Sequence, residues 1–411
     1  MKSYGFIFLV SVLLSIQTFG ETSDDWLVWR GPNGNGVASA TATPPESWSE
    51  ELGVKWKVPV PGRGHASPIV SGDLVVVATA SDNEQSVIAY DRETGETRWQ
   101  KVVHVGGIPT KLHRKNTAAS ATPASDGEFF YTLFHNSGRL FLTAVDREGQ
   151  TAWQKDTGPF QCDFGFGYGP SPLLHEGKII VVSEFGDGYI AAFSATDGAE
   201  QWRVRRENKT SYSSPVVAFV AGRDQLLLSG AEKVVSHDPA SGEILWEVAG
   251  SSQATCGTMV WSDDAVFASG GYPNKETIAV RADGSGEILW RNGDKTYEQS
   301  LLYHDGHIYT LNDNGIAICW HAETGEEKWK VRLGGPVSSS PILAGGLIYA
   351  MNEQGVTFAF RPNPEKFEKV SESRLGEEGF ATPVFVGKEV FVRTAVPGAV
   401  RQEYLYCVGA P

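Results

Sequence analysis

The chain has 411 residues, a formal net charge of −14 and four cysteines. The negative charge argues against a nucleic-acid partner, which would require a basic face. The cysteines contain no Cys-x-x-Cys pair, which argues against a zinc ribbon or a redox motif and leaves their pairing open: Cys162, Cys256, Cys319 and Cys407.

The first twenty residues, 1–20, have the features of an export signal. Lys2 supplies the positive start, Phe6–Ile16 the apolar stretch, and Thr18-Phe-Gly20 a small-residue cleavage site. The apolar stretch is too short to span a bilayer comfortably, and no later stretch is apolar for long enough. We therefore expect an exported protein, periplasmic or secreted after cleavage near Gly20, with no membrane span.

Residues 21–53 differ from everything that follows. Their glycine, proline, asparagine and alanine content predicts an irregular arm rather than a strand or a helix. Trp26, Trp29 and Trp48 indicate that the arm is docked, because three exposed indoles would form a sticky surface.

Residues 54–411 repeat one unit, whose clearest copy runs from His65 to Gln100. In that copy we predict strands at Ala66–Val70, Leu74–Thr79 and Val87–Tyr90, and a fourth strand that carries Trp99. Repeats of about this length, each forming one small antiparallel sheet, are typical of propellers and solenoids.

A tryptophan marks the fourth strand of most repeats, where its indole is expected to pack on the neighbouring blade. These structural tryptophans are Trp99, Trp153, Trp202, Trp246, Trp290 and Trp329. We expect Phe367 to take this place in the seventh repeat. The eighth repeat has only three strands, and the strand around Trp56 supplies the missing one. The sequence therefore predicts an all-β, eight-bladed β-propeller of four-stranded antiparallel blades, closed by an N-terminal strand that completes the last blade.

The repeat Ala89-x-Asp91-x-x-Thr94-Gly95-Glu96-x-x-Trp99 resembles the pyrroloquinoline-quinone-type (PQQ-like) propeller repeat. The resemblance covers about residues 54–411. That superfamily includes quinoprotein alcohol dehydrogenases and a propeller lipoprotein of outer-membrane assembly. The stretches 29–36 and 164–172 look like an exported bacterial group of PQQ-like proteins without assigned activity. The resemblance implies pyrroloquinoline quinone with calcium as a cofactor only for the dehydrogenases. Those enzymes carry two adjacent cysteines, which this chain does not, and their calcium-binding set has no evident counterpart in it.

The loops that enter the first strand of each blade gather at one mouth of the channel, where ligand sites are favoured. We predict a small anionic or polar ligand there, held by basic side chains between aromatic walls, against the simpler alternative of a hydrated polar mouth. The candidate residues are Arg63, His65, His113, Lys115, Asn116, Asp163, Phe166, Tyr168, Tyr212, Tyr297 and Glu298. No catalytic set and no metal site are predicted.

Three functions are compatible with these features. The first is a monomeric, non-catalytic scaffold that binds a protein, peptide or carbohydrate partner of the cell envelope through the mouth loops. The second is an oxidoreductase that depends on a quinone or another small ligand. The third is an envelope assembly factor that binds extended segments along a sheet edge.

Overall fold

The computed structural model describes residues 25–161, 165–184, 186–207 and 209–409. The predicted export signal, Cys162 and Asp163 lie outside the described residues. The described strands form eight four-stranded antiparallel sheets, so the predicted all-β, eight-bladed propeller is confirmed. Within the described ranges, no helix combines the length and the apolar character that a bilayer crossing needs.

Each blade runs from an inner strand at the channel to an outer strand at the rim. The strands of the first four blades are β2 (Ile69–Ser71), β3 (Leu74–Ala80), β4 (Glu84–Asp91), β5 (Thr97–Val105); β6 (Ala124–Ser125), β7 (Phe129–Asn136), β8 (Arg139–Asp146), β9 (Thr151–Pro159); β10 (Leu173–His175), β11 (Lys178–Ser183), β12 (Tyr189–Ser194), β13 (Glu200–Arg205); and β14 (Val216–Val220), β15 (Arg223–Gly230), β16 (Lys233–His237), β17 (Ile244–Ala249).

Blades five to eight repeat this arrangement. Their strands are β18 (Val260–Trp261), β19 (Ala265–Gly270), β20 (Glu276–Arg281), β21 (Ile288–Asn292); β22 (Leu302–His304), β23 (His307–Leu311), β24 (Ile316–His321), β25 (Glu327–Arg332); β26 (Ile342–Ala344), β27 (Leu347–Met351), β28 (Val356–Phe360), β29 (Lys369–Arg374); and β30 (Val384–Val386), β31 (Glu389–Val396), β32 (Gln402–Gly409) with β1 (Val54–Val60). Cys319 in β24 and Cys407 in β32 are buried free thiols, and Cys256 is also free.

Strand β1 closes the ring. It pairs antiparallel with the C-terminal strand β32, placing Trp56 opposite Cys407. The indole N–H of Trp56 then donates to Arg92 O of the first blade at 2.9 Å. Because the two ends of the propeller chain share one sheet, β1 covers the edge of β32 and completes the fourth strand of the last blade.

The same contact recurs around the rim. Trp99, Trp153, Trp290 and Trp329 each donate to a carbonyl of the following blade at 2.6–3.1 Å. Trp246 differs, because its N–H donates to Gln225 within its own blade. A large apolar ring with one polar N–H is suited to such a junction between two sheets.

Blade seven shows that the expectation for Phe367 is wrong. In the register of β28 and β29, Ser371 lies opposite Ala359, the position a tryptophan holds in other blades. Phe367 precedes β29 and packs edge-on against Trp329, with ring centroids 5.3 Å apart. The arm covers this blade instead, since Trp48 stacks on Tyr349 at 6.0 Å.

The N-terminal arm crosses the end of the channel opposite the entry loops. Residues 25–53 contain only isolated bridges, and backbone N–H groups of Trp26, Ala38 and Thr43 donate to Val70, Leu343 and Gly387 of blades one, seven and eight. Trp26 and Trp48 are 1% and 3% exposed. The arm therefore closes one end of the channel and leaves the other end accessible.

Candidate functional site

A belt of hydroxyl groups surrounds the channel where the inner strands begin. A backbone N–H of one blade donates to the serine or threonine hydroxyl of the next at 2.9–3.0 Å. The pairs are Ser67 to Thr122, Thr122 to Ser171, Ser171 to Ser214, Thr258 to Ser300, Ser300 to Ser340 and Ser340 to Thr382. This belt explains why β2 begins at Ile69 rather than at the predicted Ala66: the N–H groups of residues 65–67 bond to blade two instead of their own sheet.

The residue two positions before each belt hydroxyl faces the mouth, since side chains at i and i−2 share a side in extended backbone. These eight residues are His65, Ser120, Gly169, Tyr212, Cys256, Glu298, Ser338 and Phe380, and all of them line one cavity of about 220 Å³. We call this space the mouth cavity. Every blade contributes to it through the same position of the repeat.

The floor of the mouth cavity comes from the arm. Trp29 reaches up the channel from the closed end, and its indole N–H donates to the hydroxyl of Thr258 at 2.9 Å. Thr258 thus accepts from the arm, whereas six other belt hydroxyls accept a backbone N–H of the preceding blade. The arm thus completes the cavity as well as sealing the channel.

Aromatic rings form one wall. Phe166 packs edge-on against His113 at 5.1 Å and against Tyr212 at 5.9 Å. Asn116 fixes this loop, because its side-chain amide donates to Phe166 O at 2.6 Å. Burial and the neighbouring cations Arg114 and Lys115 lower the pKa of His113, which favours its neutral ring.

His65 stacks on Phe380 with ring centroids 4.2 Å apart. Its Nδ1 lies 3.1 Å from Lys115 O, and because a carbonyl only accepts, Nδ1 carries the proton. Burial, assisted by the charge of Arg63, lowers the pKa of His65 well below its usual value. His65 is therefore a neutral side chain that holds the loop of blade two against blade eight.

Lys115 is paired with two carboxylates at the mouth cavity. Lys115 Nζ lies 3.3 Å from Glu298 and 2.7 Å from Glu353. The Ser338 hydroxyl lies between the same two carboxylates, 2.5 Å from Glu298 and 2.8 Å from Glu353, and its single proton can bond to either of them. Burial alone would lower the pKa of Lys115, but the two carboxylates outweigh it and raise that pKa. Burial also raises the pKa of Glu298, against the opposing effect of Lys115. Blades two, six and seven are joined by this cluster.

The structure brings most of the predicted residues together. The mouth cavity is lined by His65, His113, Lys115, Asn116, Phe166, Tyr212, Tyr297 and Glu298. Arg63 lies beside it, with a guanidinium N–H donating to Arg114 O at 3.1 Å, and Tyr168 is buried with its hydroxyl on Val182 O at 2.8 Å. Because Lys115 is already paired, it offers little charge to an anion, and the anionic ligand stays a prediction.

Sequence reasoning missed three prominent lining residues, Trp29, Ser338 and Phe380, and also missed Glu353, which pairs with Lys115 without lining the cavity. Ser338 and Phe380 precede the belt residues of blades seven and eight by two positions, so the offset that holds for His65 would have found them. Glu353, which pairs with Lys115, follows β27 and has no such signal. Trp29 lies in the arm, which has no repeat to align.

The residues present do not fit pyrroloquinoline quinone with calcium. That cofactor carries several carboxylates, whereas the one lysine of the mouth cavity is shared by two glutamates. Across the part of the chain that the structure describes, no three His, Cys, Asp or Glu side chains are grouped to hold a metal ion. The cavity of about 220 Å³ is also below the range of about 300–1,000 Å³ typical of small-molecule sites.

Comparison with known proteins identifies related chains. A family model described as outer membrane protein assembly factor BamB matches residues 48–162, 142–283 and 274–396. The outer membrane protein assembly factor BamB of Burkholderia pseudomallei is 22% identical over 353 residues, which cover 73% of this chain and 85% of that protein.

Solved structures share the fold. BamB from Moraxella catarrhalis superposes with a TM-score of 0.60 at 15% identity, covering 86% of this chain and 99% of that one. A europium-containing methanol dehydrogenase gives 0.71 at 12% identity, covering 94% and 98%. Quinohemoprotein alcohol dehydrogenase from Comamonas testosteroni gives 0.68 at 14% identity, covering 94% and 81%. At these identities the likeness concerns architecture.

Proposed function

The chain belongs to the family of outer membrane protein assembly factor BamB, and on that basis we propose that it is an exported, non-catalytic scaffold that holds a segment of a protein partner in the mouth cavity during envelope assembly. The observation that carries this proposal is the convergence of all eight blades on one aromatic-walled cavity whose ions are already paired.

The size of the cavity favours part of a polypeptide over a cofactor. About 220 Å³ accommodates one or two side chains, and it is smaller than a typical pocket for a drug-sized ligand. Protein interfaces obtain much of their affinity from a few anchors buried in such central pockets, often against tyrosine and tryptophan. Trp29, Tyr212 and Tyr297 supply surfaces of this kind.

The groups that could perform chemistry are held in unreactive states. Burial raises the pKa of the Cys256 thiol, which suppresses the nucleophilic thiolate. His65 is neutral with one nitrogen committed to Lys115 O, and Glu298 is engaged by Lys115 and Ser338. These contacts support a rigid binding surface rather than a reacting centre.

Binding of an unfolded outer-membrane β-barrel protein tests this function. The barrel protein is labelled with a dye, unfolded in urea and diluted into the purified mature chain, and its anisotropy is followed. Phe166→Ala and Tyr297→Ala each remove an aromatic wall and should weaken binding about tenfold, the size expected for a central anchor.

Ile244→Ala is the matched control, because Ile244 is 50% exposed on the outer strand β17, away from the mouth. It should leave the affinity unchanged. Equal affinities for wild type and both mouth variants would contradict the proposal. A titration with glucose and N-acetylglucosamine runs in parallel, and saccharide binding that the same two variants abolish would assign the cavity to a carbohydrate instead.

A further inference from the structure

A second concave surface lies at the closed end of the channel. It is a groove of about 670 Å³ between the arm and the inner strands of blades three, four and five. We call it the arm groove. Its apolar lining includes Leu27, Val28, Leu173, Val217, Phe219 and Trp261.

Several apolar side chains of the arm groove are accessible. Phe219 projects from β14 beside the turn to β15 and is 68% exposed. Val217, two residues earlier on the same strand, is half-buried in the same lining, as are Leu173 and Trp261. A contiguous exposed apolar surface with an aromatic tip is a mark of an interaction site on an otherwise polar protein.

The rim of the arm groove is acidic. Asp25 and Asp224 line it. Asp263, in the turn between β18 and β19, lies next to the turn between β14 and β15, because Ala221 N–H donates to Asp263 O at 2.8 Å. Arg223, which precedes Asp224 in the sequence, pairs with Asp238 at 3.5 Å and not with an acidic residue of the groove. Among the described residues, no Lys or Arg pairs with Asp224 or Asp263.

We propose that the arm groove docks an apolar segment of a second protein partner, with lysine or arginine residues flanking the apolar side chains. The apolar lining would take alternate side chains of the segment, and Asp25, Asp224 and Asp263 would complement its basic flanks. A second copy of this chain, with its net charge of −14, lacks that complementarity. The first residues of the arm, Glu21-Thr-Ser-Asp24, are acidic and lack it too.

This surface is independent of the mouth cavity. The arm separates the two, with Trp29 facing the mouth cavity and its neighbours Leu27 and Val28 facing the groove. One propeller can therefore hold a segment at each end of its channel. Such a scaffold would bring two proteins together without changing its own shape.

Dye-labelled peptides of eleven residues test the arm groove. One alternates leucine with serine and carries two lysines at each end, a second has glutamates in place of the lysines, and a third keeps the lysines but has glycine for leucine. We expect the first to bind saturably and the other two at least about tenfold more weakly, because both apolar contact and basic flanks are needed. Equal affinity for the lysine and glutamate peptides would overturn the proposal.

Substitutions in the arm groove test whether the lysine peptide binds there. Phe219→Ser should lower the affinity for the lysine peptide about fivefold. Asp224→Lys should make the chain bind the glutamate peptide more tightly than the lysine peptide. Ile244→Ser and Glu243→Lys, exposed positions in blade four away from the groove, are the matched controls and should change neither affinity. Unchanged binding by Asp224→Lys would overturn the assignment.

Two variants test whether the mouth cavity and the arm groove bind their segments independently. Tyr297→Ala should keep full affinity for the lysine peptide, and Phe219→Ser should keep full affinity for the unfolded barrel protein. Loss of peptide binding in Tyr297→Ala would place the peptide at the mouth and overturn the proposal. The oligomeric states of wild type and Phe219→Ser are compared by analytical sedimentation. A dimer formed by wild type and not by Phe219→Ser would overturn the proposal and identify the groove as a self-association surface.

Discussion

Trp29 donates its indole N–H to the hydroxyl of Thr258 at 2.9 Å, across 229 residues of sequence. The bond joins the irregular arm to the inner edge of blade five. It converts a through-channel into a cavity with a floor. The arm is thus an integral part of the propeller, and its removal should affect stability and the mouth cavity together.

Trp29→Ala should lower the free energy of unfolding by about 2 kcal/mol, because a half-buried indole and its hydrogen bond are lost together. Thr258→Val removes only the acceptor and should cost about 1 kcal/mol. Urea denaturation measures both. The loss of unfolding free energy in the double variant Trp29→Phe, Thr258→Val should be smaller than the sum of the two single losses, because either change alone breaks the same bond. Strict additivity would mean that the bond does not form in solution.

The substitution Gly95→Ala tests how much the packing of Trp56 against blade one contributes to closing the ring. Gly95 has φ of +75°, and a Cβ there would lie 2.7 Å from Cδ2 of Trp56. Gly286 is the matched control, with φ of +77° and no heavy atom within 4 Å of such a Cβ. Gly286→Ala should cost about 1 kcal/mol for the left-handed backbone alone. Gly95→Ala should cost about 1 to 3 kcal/mol more, because Trp56 must move. Equal costs in urea denaturation would show that the docking of Trp56 is dispensable.

The repeat explains which features the sequence could predict. Most blades carry their own turn glycine, outer-strand tryptophan and belt hydroxyl, so blade number, closure by β1 and the position of the entry loops follow from spacing along the chain. The convergence of His65, Lys115 and Glu298 on one cavity follows from the same periodicity. The repeat does not predict the position of Phe367, because blade seven has Ser371 where other blades have a tryptophan and is covered by Trp48 of the arm.

Pairing across the channel could not be predicted. Lys115 meets Glu298 and Glu353 because blades two, six and seven face one another around a ring, and no local pattern encodes that meeting. The floor made by Trp29 has the same origin, since the arm has neither strand periodicity nor a repeat. In this fold, local repeats determine the scaffold, and contacts between distant blades determine the electrostatics of the cavity.

Glu403 should be the most sensitive carboxylate at the junction of blades one and eight. It lies 2.6 Å from both Arg393 and Arg401 and accepts the N–H of Gly64, next to His65. The side chains of Glu403 and Arg393 are each 2% exposed. Glu403→Gln should therefore cost about 3 kcal/mol, because it leaves buried Arg393 without its counterion. Lys55→Met, which breaks a pair with Glu389 nearer the surface, should cost less than about 1 kcal/mol. Similar costs in urea denaturation would contradict this ranking.

Acid should destabilise the protein through His237. Burial lowers its pKa to about 4, with a smaller contribution from Arg206, while Nδ1–H donates to Gly242 O at 2.8 Å and Glu247 acts in the opposite direction. Between pH 4 and an unfolded-state pKa of about 6.5, the unfolded chain binds the extra proton, so stability falls as the pH is lowered through this window. The slope from this residue is about 1 kcal/mol per pH unit. His237→Asn keeps the donor to Gly242 and should flatten that part of the profile, whereas an identical slope in the variant would assign the effect to other groups.

Titration with pyrroloquinoline quinone, with and without calcium, separates this chain from the quinoproteins whose fold it shares. We expect no saturable binding at micromolar concentrations, because a ligand with several carboxylates meets Lys115 already neutralised by Glu298 and Glu353. Calorimetry and the absorbance of the quinone measure this directly. The double variant Glu298→Gln, Glu353→Gln frees Lys115 and is the informative control: if it gains affinity for the quinone while wild type does not, the pairing is what excludes the anion. Tight, calcium-dependent binding by wild type would instead overturn the non-catalytic scaffold and place the chain with the oxidoreductases.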